Sequence, residues 1–274
     1  MLAFLLACTA PDADSGQPDT GCNGDPALCA RRLDEVAFPA THNSMSSAER
    51  EWIYPNQGYA VPQQLADGVR GLNLDTHAWE DGLWLCHGYC ELGSLPLVEG
   101  FAEIVDFLDS APREVLVITL QSGISAEETV AAAEAAGLAD HAYTHTTGEP
   151  WPTLDTLIAD GTRAVIFSSG PAQGWLMHQW EHWIDNPYSA LEVSDFSCAE
   201  DRGEASTATL FNVNHFLTNP LPTPELAAAA NGDGVLWPHV EDCWQETGRF
   251  PNQVLVDFYD IGDLFLTTDR LNAH

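Results

Sequence analysis

The chain of 274 residues carries a formal net charge of −32, and 45% of its residues are hydrophobic while only 18% are charged. A surface this acidic repels nucleic acid and anionic bilayers at low salt, and its simplest interpretation is solubility in a salty habitat. No apolar run reaches the ~18 residues that a membrane-spanning helix requires. The length favours one barrel-sized domain over two small ones.

The N-terminus resembles that of an exported lipoprotein. Residues 5–8 (LLAC) follow an apolar start and have the form of a bacterial lipobox, so residues 1–8 are predicted to be a signal segment and Cys8 a lipid anchor to a membrane. A signal peptide has a basic start and roughly 7–15 apolar residues, so either the true start lies upstream or the lipobox is a chance match. We favour an upstream start, which predicts a bacterial cell-envelope lipoprotein or a secreted protein.

Residues 9–32 are predicted to be a disordered tether, because they are rich in Pro, Gly, Asp and Thr and offer little to bury. Within them, Cys22 and Cys29 bracket a turn-rich loop that is short enough for a local disulfide. Zinc binding is the alternative, although a lone cysteine pair is weak evidence for it. The folded domain is predicted to span 33–274.

From residue 33 onward, short apolar runs alternate with segments of helical periodicity, the pattern of βα units. Strands are predicted at 36–38, 69–75, 83–85, 114–120, 163–167, 210–216 and 254–258. Helices are predicted at 62–67, 97–108, 125–137, 153–160, 174–184, 224–230 and 261–271. The stretch 137–151 has room for an eighth strand, so the fold class is α/β, a single-domain, closed or slightly irregular barrel.

Polar side chains stand near the ends of several of these strands, where a core would place Leu or Val. In an α/β barrel the carboxyl ends of the strands carry the groups of the reaction site. The residues in question are His42, Asn43, Asn73, Asp75, His87, Gln121, Asn214, His215 and Asp257.

Two of these residues, His42 and His87, suit acid–base chemistry. If the strands follow chain order, their backbones lie two strands and about 10 Å apart at ~4.8 Å per strand, so both rings can reach one phosphorus or carbonyl centre. An imidazole titrates near neutral pH, so one ring can accept a proton while the other donates one. Asp257 is predicted to fix the tautomer of the base by accepting its second N–H.

Four further side chains between the histidines offer oxygen ligands: Asn43, Asn73, Asp75 and Gln121. Hard oxygen donors favour Ca²⁺ or Mg²⁺ over zinc. One carboxylate among three amides predicts modest affinity unless a substrate phosphate completes the site.

Four motifs together resemble the X region of phosphatidylinositol-specific phospholipase C and the phospholipase C-like phosphodiesterases. They are THNS at 41–44, GVRGLNLDTH at 68–77, WLCHG at 84–88 and VDFYD at 256–260, and the resemblance covers about 33–271. It implies a distorted (β/α)8 TIM barrel. It also implies phosphodiester cleavage, in which a neighbouring hydroxyl attacks phosphorus to give a cyclic phosphate that can then be hydrolysed.

Carried over residue by residue, the resemblance implies that His42 is the general base, His87 the general acid and Asp257 the carboxylate that orients the base. Asn43 and Asp75 match calcium ligands of the metal-dependent branch. The metal-free bacterial branch has an arginine at the position of Asp75, so the chain resembles the calcium-dependent branch.

Asn73 and Gln121 stand where the calcium branch usually has glutamates. This departure keeps open a degenerate barrel that binds a phosphorylated ligand without turnover. A glycerophosphodiester phosphodiesterase is a third hypothesis. It ranks lower because enzymes of that class typically need more acidic metal ligands. No set of Arg, Lys and Tyr stands out that would recognise an inositol ring.

The remaining cysteines are predicted to form disulfides in an oxidising compartment, because six remain once Cys8 is set aside. Cys86 and Cys90 flank His87 at a spacing that closes a small loop and holds the acid in place. Cys198 and Cys243 are then the pair left over.

Three other polar features have structural interpretations. His178 and His182, one turn apart in the predicted Trp-rich helix, are read as packing residues. Arg70 is read as a buried ion-pair partner, while His215 is as readily a core residue as a pocket residue.

Overall fold

The structure is a computed structural model, and it describes residues 21–274. The predicted signal segment, Cys8 and residues 9–20 of the predicted tether lie outside the described residues. Across residues 21–274, no helix combines the length and apolar character needed to cross a bilayer.

Strands and helices alternate along most of the chain, as the sequence pattern predicts. The strands are β1 (Phe38–Thr41), β2 (Gly71–Trp79), β3 (Gly82–Leu85), β4 (Leu95–Pro96), β5 (Leu116–Gly123), β6 (Ala142–Tyr143), β7 (Ala164–Ser168), β8 (Met177–His178), β9 (Trp183–Asp185), β10 (Leu210–Asn214) and β11 (Pro251–Val256). The helices are α1 (Val61–Ala66), α2 (Leu97–Ser110), α3 (Ala126–Ala136), α4 (Leu154–Asp160), α5 (Gln179–His182), α6 (Pro224–Ala230), α7 (Leu236–Thr247) and α8 (Leu264–Asn272).

The sheet is a curled, parallel wall. Its strand order is β6-β7-β5-β2-β1-β11-β10-β9, and every neighbouring pair along this path is parallel. In the described part of the chain, no pairing joins β9 to β6 or to β8, which lies beside β7. The predicted single α/β barrel is therefore confirmed as a distorted barrel that is open at this seam, and β6 is the strand expected between 137 and 151.

The register of the parallel strands brings the predicted polar residues to one edge of the barrel. Asp75 lies opposite Gln121, and Asn73 lies opposite Thr119, in the β2–β5 pair. Because the carboxyl ends of parallel strands meet at one edge, His42 after β1 and Asp257 after β11 open onto the same mouth. The alternation in β2 places Leu72 and Leu74 in the main hydrophobic core, away from Asn73 and Asp75.

The strand before His87 is not a barrel strand, which corrects the assumption behind the expected two-strand separation. β3 pairs antiparallel with β2, with Trp79 opposite Gly82, and forms a hairpin. β2 continues to Trp79 because residues 76–79 pair with β3. The hairpin therefore carries His87 back over the mouth of the barrel from outside the wall.

The predicted helix at 174–184 is wrong. The segment forms β8, the one-turn helix α5 and β9 instead. The backbone of Trp183 and Ile184 pairs with Leu210 and Phe211 of β10, which extends the sheet. Their apolar side chains are buried in the core instead of lying on one face of a helix. Sequence analysis also missed α7, in which Cys243 is anchored by its disulfide.

The first strand also differs from its prediction, because it begins at Phe38 and runs through Pro39 instead of ending there. Pro39 has no N–H, but its carbonyl accepts a hydrogen bond from the Arg70 backbone N at 3.0 Å. The hydrogen bonding between β1 and the segment that leads into β2 therefore includes the proline.

Residues 21–32, expected in the tether, pack against the barrel. Cys22 is fully buried, and the Asn23 side chain bonds both the N and the O of Val115, at 2.7 and 3.1 Å. The Cys22–Cys29 disulfide closes this loop. The disulfide and the Asn23 amide stabilise a segment that has little apolar mass.

The predicted disulfides Cys86–Cys90 and Cys198–Cys243 are also present. Arg70 pairs with Glu114 at 2.7 Å, as the structural interpretation expects. His215 is a buried core residue that bonds the Ala230 carbonyl at 3.0 Å.

Gly71 leaves no room for a side chain where β1, β2 and β11 meet. A Cβ there would lie 2.6 Å from the Ala40 Cβ and 2.8 Å from the Gln253 Nε2. We expect Gly71→Ala to lower the free energy of unfolding by about 1–3 kcal/mol through overpacking, measured by urea denaturation. Gly232→Ala is the control, since a Cβ at Gly232 meets nothing within 4 Å. Equal urea midpoints for the two variants would contradict the expected crowding.

Candidate active site

His42 is held on several sides at the mouth of the barrel. Its Nδ1 lies 2.9 Å from the Asp257 Oδ1, and its Nε2 lies 3.1 Å from the Asn43 Nδ2. The ring stacks on Phe216 with 3.8 Å between ring centroids and 8° between planes. If Nδ1 carries the proton donated to Asp257, Nε2 keeps a lone pair, which is the form a general base needs.

A second layer of side chains fixes His42 and Asp257. The Asn56 Nδ2 donates to the Asp257 Oδ1 at 3.0 Å, and the Gln57 Nε2 donates to the His42 carbonyl at 2.7 Å. The Asn231 Nδ2 donates a hydrogen bond to the Asp257 carbonyl at 2.8 Å. Sequence analysis missed Asn56 and Gln57 because they lie in a loop, far in sequence from Asp257.

His87 faces His42 across the mouth. The ring centroids are 6.4 Å apart and the planes are inclined by 70°. The residue is exposed to solvent on its outer side, while burial on the other side and the nearby His42 lower the pKa of His87 to about 4. The two rings are therefore close enough to flank a single phosphate.

The four predicted oxygen ligands lie on three neighbouring segments, with Asn43 and Asp75 buried and Gln121 exposed. The Asn43 backbone N donates to the Asn73 Oδ1 at 3.3 Å, while the Asn73 Nδ2 lies 3.3 Å from the Thr119 Oγ1. The register places Gln121 beside Asp75.

Asp75 is the unusual member of this group. Its Oδ1 is buried and has no hydrogen-bond partner among the described residues. Burial raises the pKa of Asp75 to about 7, although the nearby His42 opposes the shift. An unpartnered carboxylate oxygen beside amide oxygens fits a hard divalent cation, so the donor set passes this chemical test for calcium.

A cavity of about 360 Å³ opens beside His42, and its far wall carries residues that sequence analysis did not single out. The Arg202 Nε bonds the buried Asp185 Oδ2 at 3.0 Å, and the guanidinium lies 4.2 Å from the Tyr188 ring centroid and 4.6 Å from that of Trp180. An arginine and a tyrosine thus do line the pocket. Only the fold brings them together, since Arg202 reaches the cavity from a loop beyond β9.

His87 lines a separate, apolar groove of about 230 Å³. Its walls include Trp52, Ile53, Tyr54, Tyr89 and Leu221, and Tyr89 is 74% exposed. The two facing histidines therefore line different openings, His42 the polar cavity and His87 the apolar groove. A larger cavity of about 570 Å³ at the other end of the barrel contains none of the predicted site residues.

Comparisons with known proteins agree with this architecture. The PI-PLC X family model matches residues 28–272. A PI-PLC X domain-containing protein of Arthroderma benhamiae is 31% identical, with 99% of this chain and 95% of that protein aligned. A protein of the same organism described as an uncharacterized secreted protein is 28% identical over 89% of this chain and 61% of its own length.

Solved structures show the same fold. Phosphatidylinositol-specific phospholipase C from Listeria monocytogenes superimposes with a TM-score of 0.60 at 18% identity, covering 89% of this chain and 94% of that one. A Staphylococcus aureus phosphatidylinositol-specific phospholipase C gives a TM-score of 0.59 at 13% identity, covering 90% and 94%. At these identities the likeness concerns the fold alone.

Proposed function

Because this chain belongs to the PI-PLC X domain family, we propose that it is a phosphodiesterase that cleaves a phospholipid-type phosphodiester by acid–base catalysis. The observation that carries the proposal is the pair of imidazoles, His42 and His87, with 6.4 Å between their centroids across one mouth. The hydrogen bond from His42 to Asp257 adds the orienting carboxylate.

In the proposed step, the His42 Nε2 takes the proton from a hydroxyl next to the phosphodiester in the substrate head group. The resulting oxygen attacks phosphorus, and the bond from phosphorus to the leaving oxygen breaks. His87 gives that oxygen a proton, so a cyclic phosphate and a free alcohol form. Asp257 stabilises the imidazolium that His42 becomes.

The low pKa of His87, about 4, fits this role once substrate binds. In the free protein the ring is neutral near pH 7. A phosphate anion placed beside it favours the charged form and raises its pKa. Substrate binding therefore moves His87 toward the protonated form that a general acid needs.

Asn43, Asn73, Asp75 and Gln121 are proposed to hold Ca²⁺, supported by the unpartnered Asp75 Oδ1. When bound, the ion would neutralise charge on the phosphate oxygens. With a single carboxylate in the set, we expect affinity to be modest without a substrate phosphate.

The surroundings of the two histidines support a substrate that has a polar head group and an apolar leaving group. The cavity with Arg202, Asp185 and Tyr188 offers charged and aromatic groups to a hydroxyl-rich head group. The groove lined by Trp52 and Tyr89 offers apolar surface to the leaving alcohol. A phosphoinositide-like phospholipid has both features.

Export is part of the proposal. Three disulfides suit an oxidising compartment, and one relative is described as secreted. Anchoring through a lipid on Cys8 is a separate proposal, tested by mass spectrometry of the mature N-terminus.

The test measures release of the head group from phosphatidylinositol in detergent micelles, and from a soluble inositol phosphodiester, in excess Ca²⁺ or in chelator. We expect turnover that falls in chelator. No turnover of either substrate at millimolar Ca²⁺ would contradict the enzyme and favour a barrel that only binds a phosphorylated ligand, as Asn73 and Gln121 suggest. Turnover of glycerophosphodiesters alone would favour a glycerophosphodiester phosphodiesterase.

A further inference from the structure

The two histidines are supported very differently. His42 contacts Asp257, Asn43 and Phe216 through its ring, and Gln57 through its carbonyl. The His87 side chain makes no hydrogen bond to any described residue; its one ring contact is the edge-on approach to His42. Since no hydrogen bond from a described residue fixes the His87 ring, its position depends on the backbone that carries it.

That backbone is a tight loop. The Cys86 N donates to the Asp75 carbonyl at 3.3 Å, and the Tyr89 N donates to the His87 carbonyl at 2.9 Å across Gly88, whose φ is 71°. The disulfide between Cys86 and Cys90 closes the loop, with 5.1 Å between Cα atoms. Both cysteines are buried in the main core, so the ends of the loop are fixed while His87 itself is exposed.

We propose that the Cys86–Cys90 disulfide is the positioning element of His87. It holds the ring over the reaction site, where no hydrogen bond from a side chain within residues 21–274 restrains it. The inference rests on the proposed function for its catalytic consequence. The positioning role adds to the proposed function, because Cys86 and Cys90 touch no reacting atom.

A purely stabilising role is the competing explanation. The stabilisation by a disulfide grows with the length of the loop that it closes. Cys86 and Cys90 are 4 residues apart, whereas Cys198 and Cys243 are 45 apart. Cross-linking restricts the unfolded chain less at the shorter separation, so local positioning is the larger expected effect at His87.

The first test compares Cys86→Ala/Cys90→Ala with the wild type and with Cys198→Ala/Cys243→Ala as the matched control. Each protein is assayed on two inositol phosphodiesters, one releasing an alkyl alcohol and the other p-nitrophenol. An alkyl alcohol needs a proton to leave, whereas p-nitrophenolate leaves without one. We expect kcat for the alkyl substrate to fall roughly 10- to 100-fold in Cys86→Ala/Cys90→Ala, with little change for the p-nitrophenyl substrate.

The ratio of the two rates within one preparation does not depend on how much protein is folded. The control variant is expected to lose stability but keep the wild-type ratio. If the double variant does not fold, Cys90→Ala provides the same comparison, because Cys86 then still fills its buried position.

The second readout needs no activity. The groups facing His87 are His42, Asp257 and His77, and burial together with His42 lowers its pKa to about 4. Once the loop is released and the ring can leave His42 and its buried side, we expect the pKa of His87, followed by NMR, to rise toward ~6.5. A wild type that turns over neither substrate would refute the proposed function, and the NMR titration would still decide the positioning. An unchanged rate ratio, or an unchanged pKa in an inactive protein, overturns the inference.

Discussion

Replacing His42 with alanine is expected to lower kcat by about 10²- to 10⁴-fold, the range lost with a general acid or base. The loss should be equally large for alkyl and p-nitrophenyl leaving groups, because the base acts on the attacking hydroxyl and not on the leaving oxygen. His87→Ala is expected to cause a comparable loss only with the alkyl leaving group. Measuring both variants on both substrates assigns each histidine its role.

His141→Ala is a suitable control, since His141 lies away from the mouth and pairs with Asp109 at 3.3 Å. Added imidazole should restore part of the activity of His42→Ala, because the variant leaves a gap between Asp257 and Phe216. Retention of more than a tenth of the wild-type kcat by a folded His42→Ala protein would remove His42 from the base role.

Much of the barrel was predictable because its central strands carry local signals. Residues 114–120 form a nearly continuous apolar run, which is typical of a parallel strand buried on both faces. Asn73 and Asp75 alternate with Leu72 and Leu74, so their placement on the polar side of β2 follows from a period of two. The same logic, together with the motifs around His42 and His87, located the predicted site.

The remainder depends on contacts between distant residues. The antiparallel hairpin of β2 and β3 is decided by pairing, not by composition, and a tryptophan-rich segment such as 174–184 suits a helix or a strand equally well. Asn56 meets Asp257 across 201 residues of sequence. Arg202 meets Tyr188 only because β9 and its following loop are held at the barrel mouth. No local sequence pattern predicts these contacts.

Asp75 gives a second prediction, in which stability and function are expected to change in opposite directions. Its pKa is about 7 in the folded protein and ~3.9 when unfolded. Between these values the folded state holds a proton that the unfolded state releases, so this carboxyl makes the free energy of unfolding fall as pH rises from about 4 through about 7. At pH 8 without metal, Asp75→Asn should therefore raise the free energy of unfolding, by up to roughly 4 kcal/mol at 1.36 kcal/mol per pKa unit.

The stabilisation should disappear below about pH 4, where Asp75 is protonated in both states. Activity should fall in the same variant, because it lacks the one carboxylate proposed to hold Ca²⁺. Ca²⁺ binding to the folded state should raise the urea midpoint of the wild type and leave that of Asp75→Asn unchanged. Asp81→Asn, at an exposed turn position, is the control for loss of one surface charge. If Asp75→Asn unfolds at the wild-type midpoint at pH 8 and still responds to Ca²⁺, then Asp75 is neither the unsatisfied buried group nor the ligand, and the metal lies elsewhere.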